Sequence, residues 1–191
     1  MRFIVSLIVM LAVALGVGFG TSYYALTDGR LFGAIRIGPW AGWSEIGTEN
    51  PDPYSRAYLA RTGLLQLGKS EGIRFVARTD SEGDPLERDC NYAMTGNTPG
   101  ATFWTLLAIA EDGATIAASP ALSYFHSERI VYDPDGTVTL HFGPEMMPGN
   151  WLPTDGDGRF AFVMTLYDAA GLAGGGASVS TLPAIEKVSC S

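Results

Sequence analysis

The 191-residue sequence predicts a mainly β protein: an antiparallel β-sandwich with one short helix near residues 53–65, preceded by an apolar transmembrane-type helix. Three observations lead there. An uninterrupted apolar run opens the chain. Beyond it, apolar residues recur with period two in segment after segment. Asp-Gly turn signals separate those segments at short intervals.

The opening run comes first. From Phe3 to Thr27 no side chain is charged, and Phe3 to Gly20 is apolar except for Ser6. As a helix it is about 27 Å long at roughly 1.5 Å per residue, close to the ~30 Å hydrocarbon core of a bilayer. Residues 1–26 therefore read as a membrane-targeting segment and 27–191 as one domain folded outside the cytoplasm. Two fates fit the segment. It is an uncleaved single-pass anchor across residues 3–24, or a signal peptide removed near Gly20, which would release the domain. Arg2 and the amino terminus form a thin positive flank, and Tyr23 and Tyr24 suit an interfacial aromatic anchor, so the anchor is preferred.

Composition narrows the class of function. The net charge is -8, Lys69 and Lys187 are the only lysines, and the arginines are scattered. Nucleic acid is excluded as a partner, because phosphate contacts need clustered Lys and Arg. The two cysteines, Cys90 and Cys190, suggest a disulfide in an exported protein, with two buried thiols as the other reading. Their spacing from each other and from the two histidines lacks the pattern that zinc needs, so no metal and no cofactor are expected.

After a polar hinge at residues 27–30, Leu31–Trp40 reads as a strand ended by Pro39. Asp52 and Pro53 form a helix start, and Tyr54, Ala57, Tyr58, Arg61, Leu64 and Leu65 keep a helical period to about Leu65. The period then changes to two. Ile73, Phe75 and Ala77 alternate with Arg74, Val76 and Arg78. Cys90, Tyr92 and Met94 form a second such set, and Val138, Leu140 and Phe142 a third, with His141 on the other face. Phe103–Ala110 and Phe160–Tyr167 are apolar throughout, as in strands buried on both faces. Ala184–Cys190 is a weaker strand. Turns fall at 80–83, 111–113, 133–136 and 155–158, where Asp and Gly tolerate positive φ. Gly174–Gly176 marks a loop.

Several motifs are decoys. Residues 63–70, GLLQLGKS, match the phosphate-binding G-x-x-x-x-G-K-[ST] letter for letter. That loop works between a strand and a following helix, whereas here a helix precedes and a strand follows. No nucleotide is expected, and Gly68 reads as a helix stop. Asp155, Asp157 and Gly158 resemble a calcium loop, but Phe160 and Leu166 stand where Gly and Glu are required. Ser178 lacks the second glycine of a nucleophile elbow. His126 and His141 have no sequence-local nucleophile. Trp104 belongs to the core. Trp40, Trp43 and Trp151 stand beside Gly and Pro, and with Arg56 and Asn150 they are expected to gather on one binding surface.

Three stretches then carry a resemblance: IGPWAGWSEIGTENPDPYSRAYLARTGLLQLGKSEGIRF, CNYAMTGNTPGATFWTLLAIAEDG and PGNWLPTDGDGRFAFVMTLYDA. Together they resemble the bacterial domain of unknown function 1214 family over roughly Ile35–Asp168. The resemblance implies a jelly-roll-like sandwich and supplies no catalytic residue. Larger members carry a 1254-type domain that is missing here, which suggests a separately encoded companion. The expectation is a cell-envelope protein in the bacterial inner membrane, with its domain in the periplasm, that binds a partner protein or ligand. A hydrolase acting on an envelope carbohydrate and a purely structural domain of an envelope complex are the alternatives. The hydrolase would need convergent carboxylates or a His with an acidic partner.

Overall fold

The structure is a computed structural model that describes residues 2–28, 34–43, 47, 48, 50–62, 67, 68, 71–97, 100–117, 122–168 and 182–190. Leu31 to Gly33, residues 63–65 of the expected helix, the Gly174–Gly176 loop and Ser178 lie outside these residues.

Helix α1 runs over Arg2–Asp28. Its Arg2–Tyr24 stretch has a mean hydropathy of 2.6 and no burial against the rest of the chain. Helix α2, Pro53–Thr62, starts where the sequence places it. The Ser55 N–H donates to Asp52 Oδ1 at 3.1 Å, satisfying one of the amides that a helix start leaves unpaired, and Pro53 sits at the first turn.

The described residues hold ten strands: β1 Ala34–Ile37 and β2 Trp40–Trp43 before α2, then β3 Gly72–Ala77, β4 Cys90–Asn97, β5 Phe103–Ala110, β6 Tyr124–His126, β7 Thr137–Gly143, β8 Asn150–Pro153, β9 Phe160–Tyr167 and β10 Ala184–Cys190. They form a six-stranded sheet in the order β1-β2-β3-β9-β5-β6 and a four-stranded sheet in the order β10-β4-β7-β8. Two expectations are corrected here. The single strand expected over Leu31–Trp40 is a hairpin, in which Gly38 (φ 55°) and Pro39 reverse the chain between β1 and β2. The sheets are not wholly antiparallel, because β7 and β8 pair in parallel. α2 is described as far as Thr62, and the Gly68 carbonyl accepts from Glu71 N (2.8 Å) in the turn that leads into β3.

The two sheets bury one apolar core between them. From the larger sheet come Ile73, Phe75, Trp104, Leu106, Phe125, Phe160, Phe162, Met164 and Leu166. The smaller sheet supplies Tyr92, Met94, Val138, Leu140, Phe142, Leu152 and Ile185. An edge-to-face aromatic chain links the layers: Phe142 meets Phe162 at 4.5 Å and Phe125 at 5.3 Å, and Tyr92 meets Phe160 at 5.7 Å. Such pairs add about 0.5–1.5 kcal/mol beyond the area that they bury. β9 is buried along almost its whole length, as its unbroken apolar run predicts. β5 is not: its inward residues are buried and its outward ones only partly. Gly72 is required where β3 meets β9, since a Cβ there would run into the Leu166 carbonyl oxygen. The turn glycines Gly83, Gly113, Gly136, Gly156 and Gly158 all take positive φ.

Cys90 and Cys190 stand opposite each other across β4 and β10 and form a disulfide over a separation of 100 residues.

Candidate binding surface

The five residues expected on one face are divided between the layers. Trp40 is only 1 % exposed, and its indole N–H donates to Pro183 O at 2.8 Å, tying β2 to the start of β10. It is a core residue, which corrects its placement on a binding face. Its neighbour Trp43 points the other way, onto the outer side of the six-stranded sheet. Arg56 lies exposed on α2. Asn150 and Trp151 belong to β8, at the far edge of the other sheet from β10. The structure does not bring the five together.

Asn150 has a structural task instead. Its Oδ1 accepts from Val131 N (2.7 Å), and its Nδ2 donates to Val131 O (2.8 Å) and Thr139 O (3.1 Å). The side-chain amide thus pairs with the Val131 peptide as a neighbouring strand would. Trp151 stands beside His141 in the parallel β7–β8 register, on the outward face. Trp151 Nε1 and His141 Nδ1 are both enclosed and make no hydrogen bond, as does His126 Nδ1 on β6.

Many carboxylates at the turns are engaged by backbone. Asp80 Oδ1 accepts from the N–H groups of Glu82, Gly83 and Asp84 at 2.9–3.0 Å. Asp112 accepts from Ala114 N, and Asp155 from Gly156 N. Asp135 accepts from the Thr137 hydroxyl (2.6 Å) and N–H (3.0 Å), which holds its carboxyl below the usual range. Near the disulfide, Glu87 and Asp89 approach Cys90 closely enough to suggest a cation site, but the Cys90 sulfur is committed to its bridge and offers no thiolate. Burial pushes the Tyr92 phenol up, with the Glu87 N–H that donates to its oxygen (2.8 Å) opposing the shift.

The feature that sequence reading missed is on the outer side of the six-stranded sheet. Val76, Ala161 and Val163 form a second apolar cluster there, flanked by Trp43, Leu107 and Ile109. Val76 and Leu107 both stand opposite Val163, so the cluster crosses three strands. Its signal in the sequence was the apolar pair Ala161 and Val163 at alternate positions of β9.

Comparison with known proteins fits this architecture. The sequence profile of the family described as "Protein of unknown function (DUF1214)" matches residues 71–171, more than half of the chain. The chain belongs to this family. The DUF1214 match begins at β3 and spans both sheets, leaving α1, β1, β2, α2 and β10 outside it. Among solved structures, the VPA0106 protein from Vibrio parahaemolyticus is similar with a TM-score of 0.59 at 20 % identity, over 73 % of this chain and 36 % of that one. An uncharacterized protein from Burkholderia cenocepacia gives a TM-score of 0.45 at 14 % identity, over 93 % of this chain and 51 % of that one. The chain therefore spans about a third to a half of the length of these two. No curated protein matches it.

Proposed function

We propose that this DUF1214 chain is a membrane-tethered binding protein of the bacterial envelope, held in the inner membrane by α1 with its sandwich in the periplasm. The observation that carries this reading is the α1 helix itself. Arg2–Tyr24 is 23 residues long, its polar side chains after Arg2 are Ser6 and the Thr21–Tyr24 end, and none of it is buried within the domain. Its length of about 34 Å at 1.5 Å per residue exceeds the ~30 Å hydrocarbon core. A helix with no polar face has no place on a soluble domain. The Cys90–Cys190 bridge supports the oxidising side of the membrane. Arg2 supports a cytoplasmic amino terminus.

Binding, rather than turnover, is supported by the large apolar side chains exposed on and beside the edge strand β6, Leu122 at 41 % and Tyr124 at 49 %, a kind of surface that marks partner contacts. The partner in this reading is a companion protein with a 1254-type domain, encoded apart from this chain. Two measurements test it. Carbonate-washed membranes should retain the full-length protein, with Met1 still its first residue. Protease added to spheroplasts should remove the sandwich. A mature protein that begins near Thr21 and appears in the soluble fraction would overturn the tether. For the binding role, crosslinking in native membranes should yield one defined heteromeric adduct, which Tyr124→Asp diminishes. A protein that stays monomeric throughout would overturn that role.

A further inference from the structure

The register of the six-stranded sheet fixes which residues share its two ends. Ala34, the first residue of β1, stands opposite Trp43, the last of β2. Gly72 and Phe103, the first residues of β3 and β5, both stand opposite Tyr167, the last of β9. These positions form one rim, and the chain arrives at that rim from α1. Only residues 29–33 separate Asp28 from Ala34. A stretch of that length reaches at most about 20 Å even when fully extended. The rim is thus the part of the domain nearest the mouth of α1.

Aromatic side chains mark it. Trp43, Phe103 and Tyr167 are partly exposed there, and the Phe103 ring lies 5.7 Å from both Tyr167 and His126. Val131 and Tyr132, in the segment that leads from β6 to β7 at the same end, are 72 % and 42 % exposed. Acidic groups stand at both ends: turns 80–84, 87–89, 111–112 and 155–157 at the far end, and Glu71, Glu128, Asp133, Asp135 and Asp168 at the rim.

We propose that this aromatic rim is a membrane-contact surface, seated in the headgroup layer of the bilayer that α1 crosses. The inference rests on the reading of α1 as an anchor. Tryptophan and tyrosine favour that layer because their rings are apolar and their N–H and O–H groups stay hydrated. The short tether holds the rim beside the lipid at high effective concentration, so a contact of few side chains suffices.

The test uses the full-length protein reconstituted in phosphatidylethanolamine–phosphatidylglycerol vesicles, with and without acyl chains brominated near the headgroup. Bromine should quench the tryptophan emission, and Trp43→Phe should abolish most of that quenching. The double variant Val131→Asp/Tyr132→Asp changes only exposed side chains and should keep the fold. It should reduce quenching about twofold, because buried acidic groups avoid the interface. Emission that bromine does not touch, or quenching that survives both variants, overturns the proposal. So does Trp43 shielded from aqueous acrylamide as well as from bromine, the result expected if a second copy or another protein covers the rim. Carbonate extraction of the same vesicles separates this outcome from failure of the tether. Protein released by carbonate refutes the anchor, whereas protein that is retained but unquenched refutes the rim contact alone.

Discussion

Cutting the Cys90–Cys190 bridge is expected to lower the stability of the whole domain. The bond closes a separation of 100 residues, and in the chain-entropy account a loop of that size contributes about 4.7 kcal/mol at 25 °C. The structure argues for somewhat less. β10 keeps its own hold on the core through Ile185, which is fully buried and exchanges hydrogen bonds with Ser81 at 2.9 Å in both directions. The later half of β10 is exposed and its register shifts between Lys187 and Ser189, so that half is the part released first. A loss of about 3–4 kcal/mol corresponds to a fall in Tm of roughly 6–16 °C for a chain of this size. The assay is a fluorescence-monitored melt of the full-length protein in detergent, with and without reductant. Cys190→Ser serves as the uncrosslinked control, because it leaves the buried Cys90 as a small apolar side chain. Reduced wild type and Cys190→Ser should melt together, well below oxidised wild type. If all three melt within about 2 °C of one another while mass spectrometry confirms the bond intact and then cut, the entropic reasoning is wrong for this fold.

Gly72→Ala should cost about 2–3 kcal/mol, since the new Cβ meets the Leu166 backbone rather than a side chain able to move aside; a urea titration reads the shift in midpoint. Asn150→Ala should lose about 1–2 kcal/mol by removing the peptide mimic against Val131, and Asn150→Asp should be worse because a carboxylate then faces the Val131 and Thr139 carbonyls; neither should alter partner capture once the protein is folded. Tyr92→Phe should cost about 1 kcal/mol at neutral pH through the lost bond to Glu87. The folded-state pKa of Tyr92 lies above the unfolded value, so its contribution is full below about pH 10 and declines as the pH rises beyond that; the Tyr92→Phe protein should lack this alkaline decline in pH-dependent unfolding.

The inward-facing sets of β3, β4 and β7 were legible because a strand with one buried face must alternate, and Phe75, Tyr92 and Leu140 fall where that rule puts them. The α2 start was legible because Asp52 and Pro53 act locally. β6 and β8 were missed, since three or four residues cannot display a period and Pro153 weakens the strand signal in β8. The hairpin at Gly38–Pro39 was merged into one strand because its turn is only two residues long. The binding residues were the least legible part. Whether a tryptophan lines a surface or fills a core depends on which way its strand position faces, and Trp40 and Trp43 differ in that respect by an odd number of residues. The role of Asn150 depends on Val131, brought to it by a return of the chain that no local pattern reveals.

The position of β9 also constrains how the chain reaches this fold. β9 is hydrogen-bonded on one side to β3 and on the other to β5, both made long before it. Until Phe160–Tyr167 emerges, β3 and β5 have no common partner, and each presents an open edge with apolar side chains beside it. Closing the larger sheet therefore waits for a late segment to insert between two early ones, a step dominated by distant pairings and so slow by nature. A chain delivered amino terminus first, with α1 already captured, would spend that interval tethered and half assembled. It is in that interval, more than in the finished sandwich, that this protein is most exposed to aggregation and to proteases.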